Sequence, residues 1–117
     1  MKEEDYKTVY EIPVEEAKKW ILAWIDCHAK GSVKGFLIDA DELRCIIDEA
    51  GAKYMRIYFA INEDLPEDNH KLVMVPVDEE GYDMVARKTN ADDDGSNVFD
   101  FTMPCPPTCD ATSALQT

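Results

Sequence analysis

The segment Tyr54–Ile61, with the sequence YMRIYFAI, decides the fold class because it is the strongest strand signal in the chain. Aromatic and branched residues fill it, and these residues favour extended backbone. Successive strand residues point to opposite faces, so Ile57 and Phe59 share an apolar face, while Arg56 and Tyr58 share the other. The segment therefore predicts a strand near the centre of a sheet.

The sequence on either side of this strand predicts further strands and two helices. A polar loop at residues 62–70 leads to a strand at 71–77, which indicates a long-looped antiparallel hairpin. The other expected elements are helices at residues 14–29 and 40–50, and strands at 32–38, 82–87 and 97–101. Helices and strands do not alternate regularly, so we expect an α+β fold, with two helices on one face of a mostly antiparallel sheet of about four to five strands.

Local signals mark the ends of the two expected helices. Pro13 suits the first turn of the first helix, whose apolar stripe includes Trp24, and Gly31 suits a stop after it. Asp39 suits the N-cap of the second helix, and Gly51 suits its end. The second helix is therefore expected to run from just after Asp39 to just before Gly51.

Length and charge limit the classes of function. The chain has 117 residues, with 25 acidic and 12 basic side chains and a net charge of −13. We expect a single globular domain over residues 1–103, followed by a Cys-Pro-rich C-terminal segment at 104–117. The negative charge would repel nucleic-acid phosphates and anionic membrane surfaces, and it favours a basic protein as partner.

The N-terminal residues and the hydropathy of the chain bear on its location. Residues 1–5 contain no apolar run typical of a secretory leader, and no apolar stretch is long enough to span a membrane. We therefore expect a cytoplasmic protein. Its four cysteines would then be reduced by default.

Several short motifs, taken in order, resemble a group of small, functionally uncharacterised bacterial proteins. The motifs are Arg-Ile-Tyr-Phe-Ala at 56–60, Leu-Val-Met-Val-Pro-Val-Asp at 72–78, Gly81, and Cys-Pro-Pro-Thr-Cys at 105–109. The resemblance covers roughly residues 12–115, and the terminal Cys-Pro-Pro motif is its distinctive part. It implies no activity, no cofactor and no catalytic residues.

Cys105 and Cys109 are candidates for redox chemistry or metal binding. Three residues separate them, which is one more than in the common zinc and thioredoxin-like motifs. The intervening Pro106 and Pro107 favour extended backbone, so a disulfide would require a turn at Thr108 or a cis proline. Four interpretations stay open: a structural pair, a redox pair, a metal site completed by another ligand, and a docking segment.

Two other candidate sites involve charged residues. Arg56 and Tyr58 share a strand face, where a charged side chain needs a partner such as Asp78. The two interpretations are a structural ion pair and an anion-recognition site built on Arg56. In addition, Asn90, Asp92 and Asp94 alternate in an acidic loop, which is the spacing of the first half of a calcium loop, although the glutamate that closes such a loop is missing.

The remaining cysteines and the adjacent histidine carry little chemistry. Cys27 and His28 are neighbours on a helix and therefore point in different directions. His28 is expected to be structural, and Cys27 and Cys45 to be isolated thiols.

The sequence thus leads to two main hypotheses about function, beside a third in which the protein is an enzyme with Arg56 as an anion anchor. The first is a non-catalytic protein-interaction or inhibitor-like module that binds a basic partner. The alternative is a thiol redox or metal-binding protein that uses Cys105 and Cys109. No phosphate-binding loop, nucleophile–base arrangement or paired-ligand helix indicates an enzyme or a bound cofactor.

Overall fold

A computed structural model describes residues 8–67, 69–86 and 96–116 of the chain. In this part of the chain the elements, in order, are α1 (Val14–Asp26), β1 (Gly35–Ile38), α2 (Ala40–Ala50), β2 (Tyr54–Ile61), β3 (His70–Val77), β4 (Thr102–Cys105) and a short 3₁₀-helix (Ala114–Gln116). The α+β class is therefore confirmed. No helix among these residues is both long and apolar enough to cross a membrane.

The four strands pair as two antiparallel two-stranded sheets, and only β2 and β3 are consecutive strands. Strands β2 and β3 pair along their full length, with Tyr54 opposite Val77. Strands β1 and β4 pair with Gly35 opposite Cys105. A single bridge connects the region of β4 to β3, because the backbone groups of Met74 and Phe99 exchange two hydrogen bonds of 2.9 Å. One continuous sheet of four to five strands is therefore not confirmed in the described residues.

The C-terminal strand lies later in the chain than expected. Of the expected strands at 82–87 and 97–101, the described residues form only isolated bridges, such as Val77 with Asp83 and Ala86 with Ser96. The regular strand is β4, which contains Pro104. A proline is tolerated in a strand where its missing N–H is not needed. Strand β4 therefore crosses residue 103, while the division into 1–103 and 104–117 stays a prediction.

The helix ends follow from their capping residues. The Asp39 carboxylate accepts hydrogen bonds from the backbone N–H groups of Asp41 and Glu42, at 2.9 and 3.1 Å, and so satisfies two donors at the start of α2. Gly51 ends this helix with a φ of 65°, a left-handed conformation that suits glycine. Helix α1 ends earlier than its expected bound of residue 29, at Asp26, with Cys27 as C-cap.

The core is small and centres on β3. Its buried apolar residues are Ile46 from α2 and Leu72, Met74, Val75 and Val77 from β3. By contrast, Trp20 and Trp24 of α1 remain 56% and 49% exposed. The radius of gyration is 17.1 Å, compared with about 13 Å for a compact domain of this length. Much of the apolar surface of this open molecule, including that of β2, therefore faces solvent.

Candidate functional site

One backbone edge of strand β2 has no strand partner in the part of the chain that the structure describes. Met74 directs both of its backbone hydrogen bonds to Phe99, away from β2. In an antiparallel pair, the backbone N–H and C=O groups of two directly opposite residues point either both into the pair or both away from it. Met74 directs these groups away from β2, so Ile57, which lies opposite Met74, directs its own away from β3. The same holds for every second residue, and in the described ranges β2 pairs only with β3. The outward groups therefore belong to Met55, Ile57, Phe59 and Ile61.

The same strand carries exposed apolar side chains on one face. Ile57, Phe59 and Ile61, which we call the β2 stripe, are 44%, 93% and 59% exposed. The residues opposite the first two, Met74 and Leu72, are buried. On this face of the β2–β3 pair, the side chains of Leu72 and Met74 in β3 are thus buried and those of the β2 stripe are exposed to solvent. An open edge beside an apolar stripe is the surface to which another strand can add.

Acidic residues lie at both ends of this edge. Glu63, Asp64 and Glu67 are exposed in the loop that follows β2. At the other end, Tyr54 begins β2 and pairs with Val77, the last residue of β3. The residues that follow Val77 therefore lie near the start of β2. These are Asp78, Glu79 and Glu80, and they line a cleft of about 630 Å³ together with Lys53. An apolar strand between two acidic groups is complementary to a partner with basic flanks.

The expected carboxylate partner of Arg56 and Tyr58 is present, and it is Asp83 and not Asp78. Arg56 Nη1 donates to Asp83 Oδ1, and the Tyr58 hydroxyl donates to Asp83 Oδ2 at 2.5 Å. The hydrogen bond with Tyr58, and then the Asp83 charge, raise the pKa of Arg56. Asp78 instead accepts hydrogen bonds from the backbone N–H groups of Glu80 and Tyr82, at 2.9 and 3.0 Å, and so holds a turn.

This arrangement favours the structural interpretation of Arg56. Its guanidinium is already held by the Asp83 carboxylate, and Nη2 donates to the Gly81 carbonyl oxygen at 3.3 Å. Asp83 could not be identified from the sequence, because it is 27 residues away and meets Arg56 only through the turn after β3. Both partners are part-exposed, so the pair fixes that turn more than it stabilises the fold.

Cys105 and Cys109 form a disulfide across the terminal motif. Their Cα atoms are 4.7 Å apart, and the peptide bonds that precede Pro106 and Pro107 are cis. The sequence left this pairing open. The two cysteines are separated by only 4 positions in the sequence, so the disulfide closes a short loop. If a disulfide stabilises by reducing the entropy of the unfolded chain, a loop of this length contributes about 2 kcal/mol, compared with about 3 kcal/mol for a 15-residue loop.

Lys34 lines a cleft together with both cysteines, and no motif in the sequence predicts this. The Lys34 backbone N–H donates to the Cys105 carbonyl oxygen at 2.8 Å, at the end of the β1–β4 pairing. A cleft of about 270 Å³ is lined by both cysteines, Lys34 and apolar residues that include Ile21 and Phe36. Only the pairing of β1 with β4 brings this basic residue to the cysteines.

The other thiols are isolated, as expected. The Sγ of Cys45 is exposed and lies 3.9 Å from Glu49 Oε1, whose charge raises the pKa of this thiol. His28 stacks on Trp24, and its Nδ1 lies 2.7 Å from the Trp24 carbonyl oxygen, which is a structural role. Cys27 is an exposed free thiol.

Metal binding finds no support in the part of the chain that the structure describes. Within residues 8–67, 69–86 and 96–116, no group of three His, Cys, Asp or Glu side chains is placed to hold an ion. The candidate cation loop with Asn90, Asp92 and Asp94 lies outside the described residues. In comparisons with known proteins, no protein-family model, no curated protein and no solved structure matches the chain.

Proposed function

We propose that the protein is a non-catalytic interaction module, of an inhibitor-like kind, that binds a basic protein by accepting a strand onto the open edge of β2. The observation that carries this proposal is that β2 carries both the β2 stripe and backbone groups with no strand partner among residues 8–67, 69–86 and 96–116. Backbone hydrogen bonds would supply affinity, and alternate side chains would supply specificity.

Charge supports the choice of a basic partner. The chain carries a net charge of −13, and acidic residues lie at both ends of β2. Complementary charge speeds encounter with a basic protein and disfavours nucleic acid and anionic membranes. A cytoplasmic location is part of the proposal. We also propose that this binding requires no cofactor.

The incoming strand would extend an existing layer. We propose that the β2–β3 and β1–β4 pairs act as one antiparallel sheet, joined by the Met74–Phe99 bridge, with the helices on one face. The partner strand would then add beside β2, at the edge opposite this bridge. Such addition would cover the β2 stripe and remove the exposed edge.

The test compares two lysine substitutions at equally exposed apolar positions. Phe59 is 93% exposed and lies in the β2 stripe, whereas Val9 is 91% exposed and lies outside every strand. Wild type, Phe59→Lys and Val9→Lys are each used to capture proteins from the source lysate. We expect wild type and Val9→Lys to retain the same basic protein, and Phe59→Lys to lose it.

Hydrogen exchange with the captured protein, prepared in pure form, then locates the contact. We expect the amides of Met55, Ile57, Phe59 and Ile61 to become protected in the complex, because these groups point outward from β2. Equal capture by both variants, or protection confined to other strands, would contradict the proposal.

A further inference from the structure

The terminal turn is held by hydrogen bonds that do not depend on its disulfide. The Thr108 backbone N–H and hydroxyl both lie within hydrogen-bond distance of the Pro104 carbonyl oxygen, at 3.0 and 2.8 Å. The hydrogen bond from the Lys34 backbone N–H to the Cys105 carbonyl oxygen connects the start of the turn to the residue that precedes β1. Opening the disulfide would therefore leave Cys105 and Cys109 close together and ready to pair again.

The disulfide is also accessible. Cys105 and Cys109 are both only half-buried, and both line the cleft of about 270 Å³ beside β1. We therefore expect a thiol that enters this cleft to reach one of the two sulfur atoms. The apolar lining, which includes Ile21, Phe36 and Leu115, suits a cysteine that is flanked by apolar residues in a peptide.

The charges around the cleft come from one basic and one acidic residue. Lys34 and Asp110 both line it. An ammonium group near a cysteine stabilises the thiolate, which makes that cysteine a better leaving group in exchange. Asp110 has the opposite effect, and the hydrogen bonds that it accepts from the Thr112 N–H and hydroxyl, at 2.9 and 2.6 Å, keep it charged. Lys34 is therefore the residue that can favour release of a thiolate.

We propose that Cys105–Cys109 is a thiol–disulfide exchange site that takes the dithiol of an apolar cysteine-containing peptide through this cleft. This redox activity is additional to the strand addition proposed at β2, and only that strand addition is non-catalytic. A thiolate of the substrate attacks one sulfur atom, the bond between the two cysteines breaks, and a mixed disulfide forms. The released cysteine thiolate takes a proton from water.

The second substrate thiol completes the exchange. After losing its proton to water, it attacks the substrate sulfur of the mixed disulfide, so that the substrate leaves as a disulfide and the second protein cysteine leaves as a thiolate, which is then protonated. Two electrons and, in net terms, two protons have passed from the substrate dithiol to Cys105 and Cys109. The reverse sequence oxidises a dithiol-bearing form of this protein by a substrate disulfide.

The test uses the full chain with dithiothreitol as the probe dithiol. Free thiols are alkylated at intervals and counted by intact mass, without denaturant, while amide spectra report the β1–β4 pairing. We expect complete reduction of the native protein, retained pairing, and recovery of the same disulfide on addition of oxidised dithiothreitol. A disulfide that is reduced only after unfolding, or a β1–β4 pairing that is lost on reduction, would overturn the proposal.

A matched pair of variants tests the cleft itself. Lys34→Met removes the one basic side chain among the residues that line this cleft, whereas Lys53→Met removes the same charge from a cleft next to the β2–β3 sheet. If Lys34 lowers the pKa of the leaving thiol by about one unit, its loss slows reduction about threefold. We expect that slowing for Lys34→Met alone. Equal rates for the two variants would contradict the assigned route through the cleft.

Discussion

Asp110 follows the terminal disulfide and accepts two hydrogen bonds from Thr112. The Thr112 hydroxyl, and then its backbone N–H, stabilise the charged carboxylate, so the pKa of Asp110 lies below its ordinary value of 3.8. A lowered pKa in the folded state means that the stabilising effect is complete above the ordinary value. It is lost as the pH falls through the lowered pKa.

Replacing the hydroxyl tests this cause directly. In Thr112→Val the side-chain donor is lost and the backbone donor remains, so we expect the pKa of Asp110 to rise part of the way toward 3.8. A carboxyl-carbon NMR titration measures it. Ser113→Ala is the control, because the Ser113 hydroxyl oxygen accepts its hydrogen bond from the Leu115 backbone N–H and is not among the causes of the Asp110 shift. An unchanged pKa in Thr112→Val would show that the hydroxyl does not cause the shift.

The ion pair of Arg56 shows where residue-level prediction from sequence stops. The need for a carboxylate partner followed from the strand alone, because a charge on a sheet face must be neutralised. Its identity did not, because Asp78 and Asp83 are close in sequence and the turn between them decides which one reaches Arg56. The backbone of that turn uses Asp78, which leaves Asp83 for Arg56 and Tyr58.

At the scale of elements, the N-cap of α2 should be its most sensitive exposed position. Asp39→Ala removes the acceptor for two backbone N–H groups, so we expect the free energy of unfolding to fall by about 1 kcal/mol. Urea denaturation measures it. Asp39→Asn keeps an oxygen acceptor and should stay within a few tenths of wild type. Equal losses in both variants would point to the charge rather than the cap.

Elements with local signals were predictable, and elements that depend on distant partners were not. Helix α2 and strand β2 lie at the expected residues 40–50 and 54–61, because capping and strand alternation are properties of the segment itself. Strand β4 was missed because a proline argues against a strand, and only its pairing with β1 makes it one. The disulfide beside Lys34 was unpredictable for the same reason.

The whole molecule carries far more acidic than basic groups, so ionic strength should affect its stability. A net charge of −13 makes the folded state repel itself, and salt screens that repulsion. We expect the melting temperature to rise between about 10 and 150 mM sodium chloride, a range over which the screening length falls from about 30 to 8 Å. Scanning calorimetry measures it. A flat or falling melting temperature would show that the acidic side chains are already neutralised.

The open shape of the molecule was not visible in its composition. Hydrophobic residues make up 45% of the chain, which is ordinary for a globular domain. Yet Trp20, Trp24 and most of β2 remain in contact with solvent. The sequence pattern predicts an apolar stripe on α1, but such a stripe does not reveal whether another element covers it. That depends on how the helices and sheets are placed around β3.

The bare edge of β2 also has a colloidal consequence. A long apolar edge can serve as a template for identical chains, which is how cross-β growth begins. The negative charge of the chain makes copies of the protein repel one another at neutral pH, and this repulsion slows association through Phe59 and its neighbours. Near the sequence isoelectric point of about 4.3 the repulsion disappears, and we expect copies of the protein to associate first through this strand.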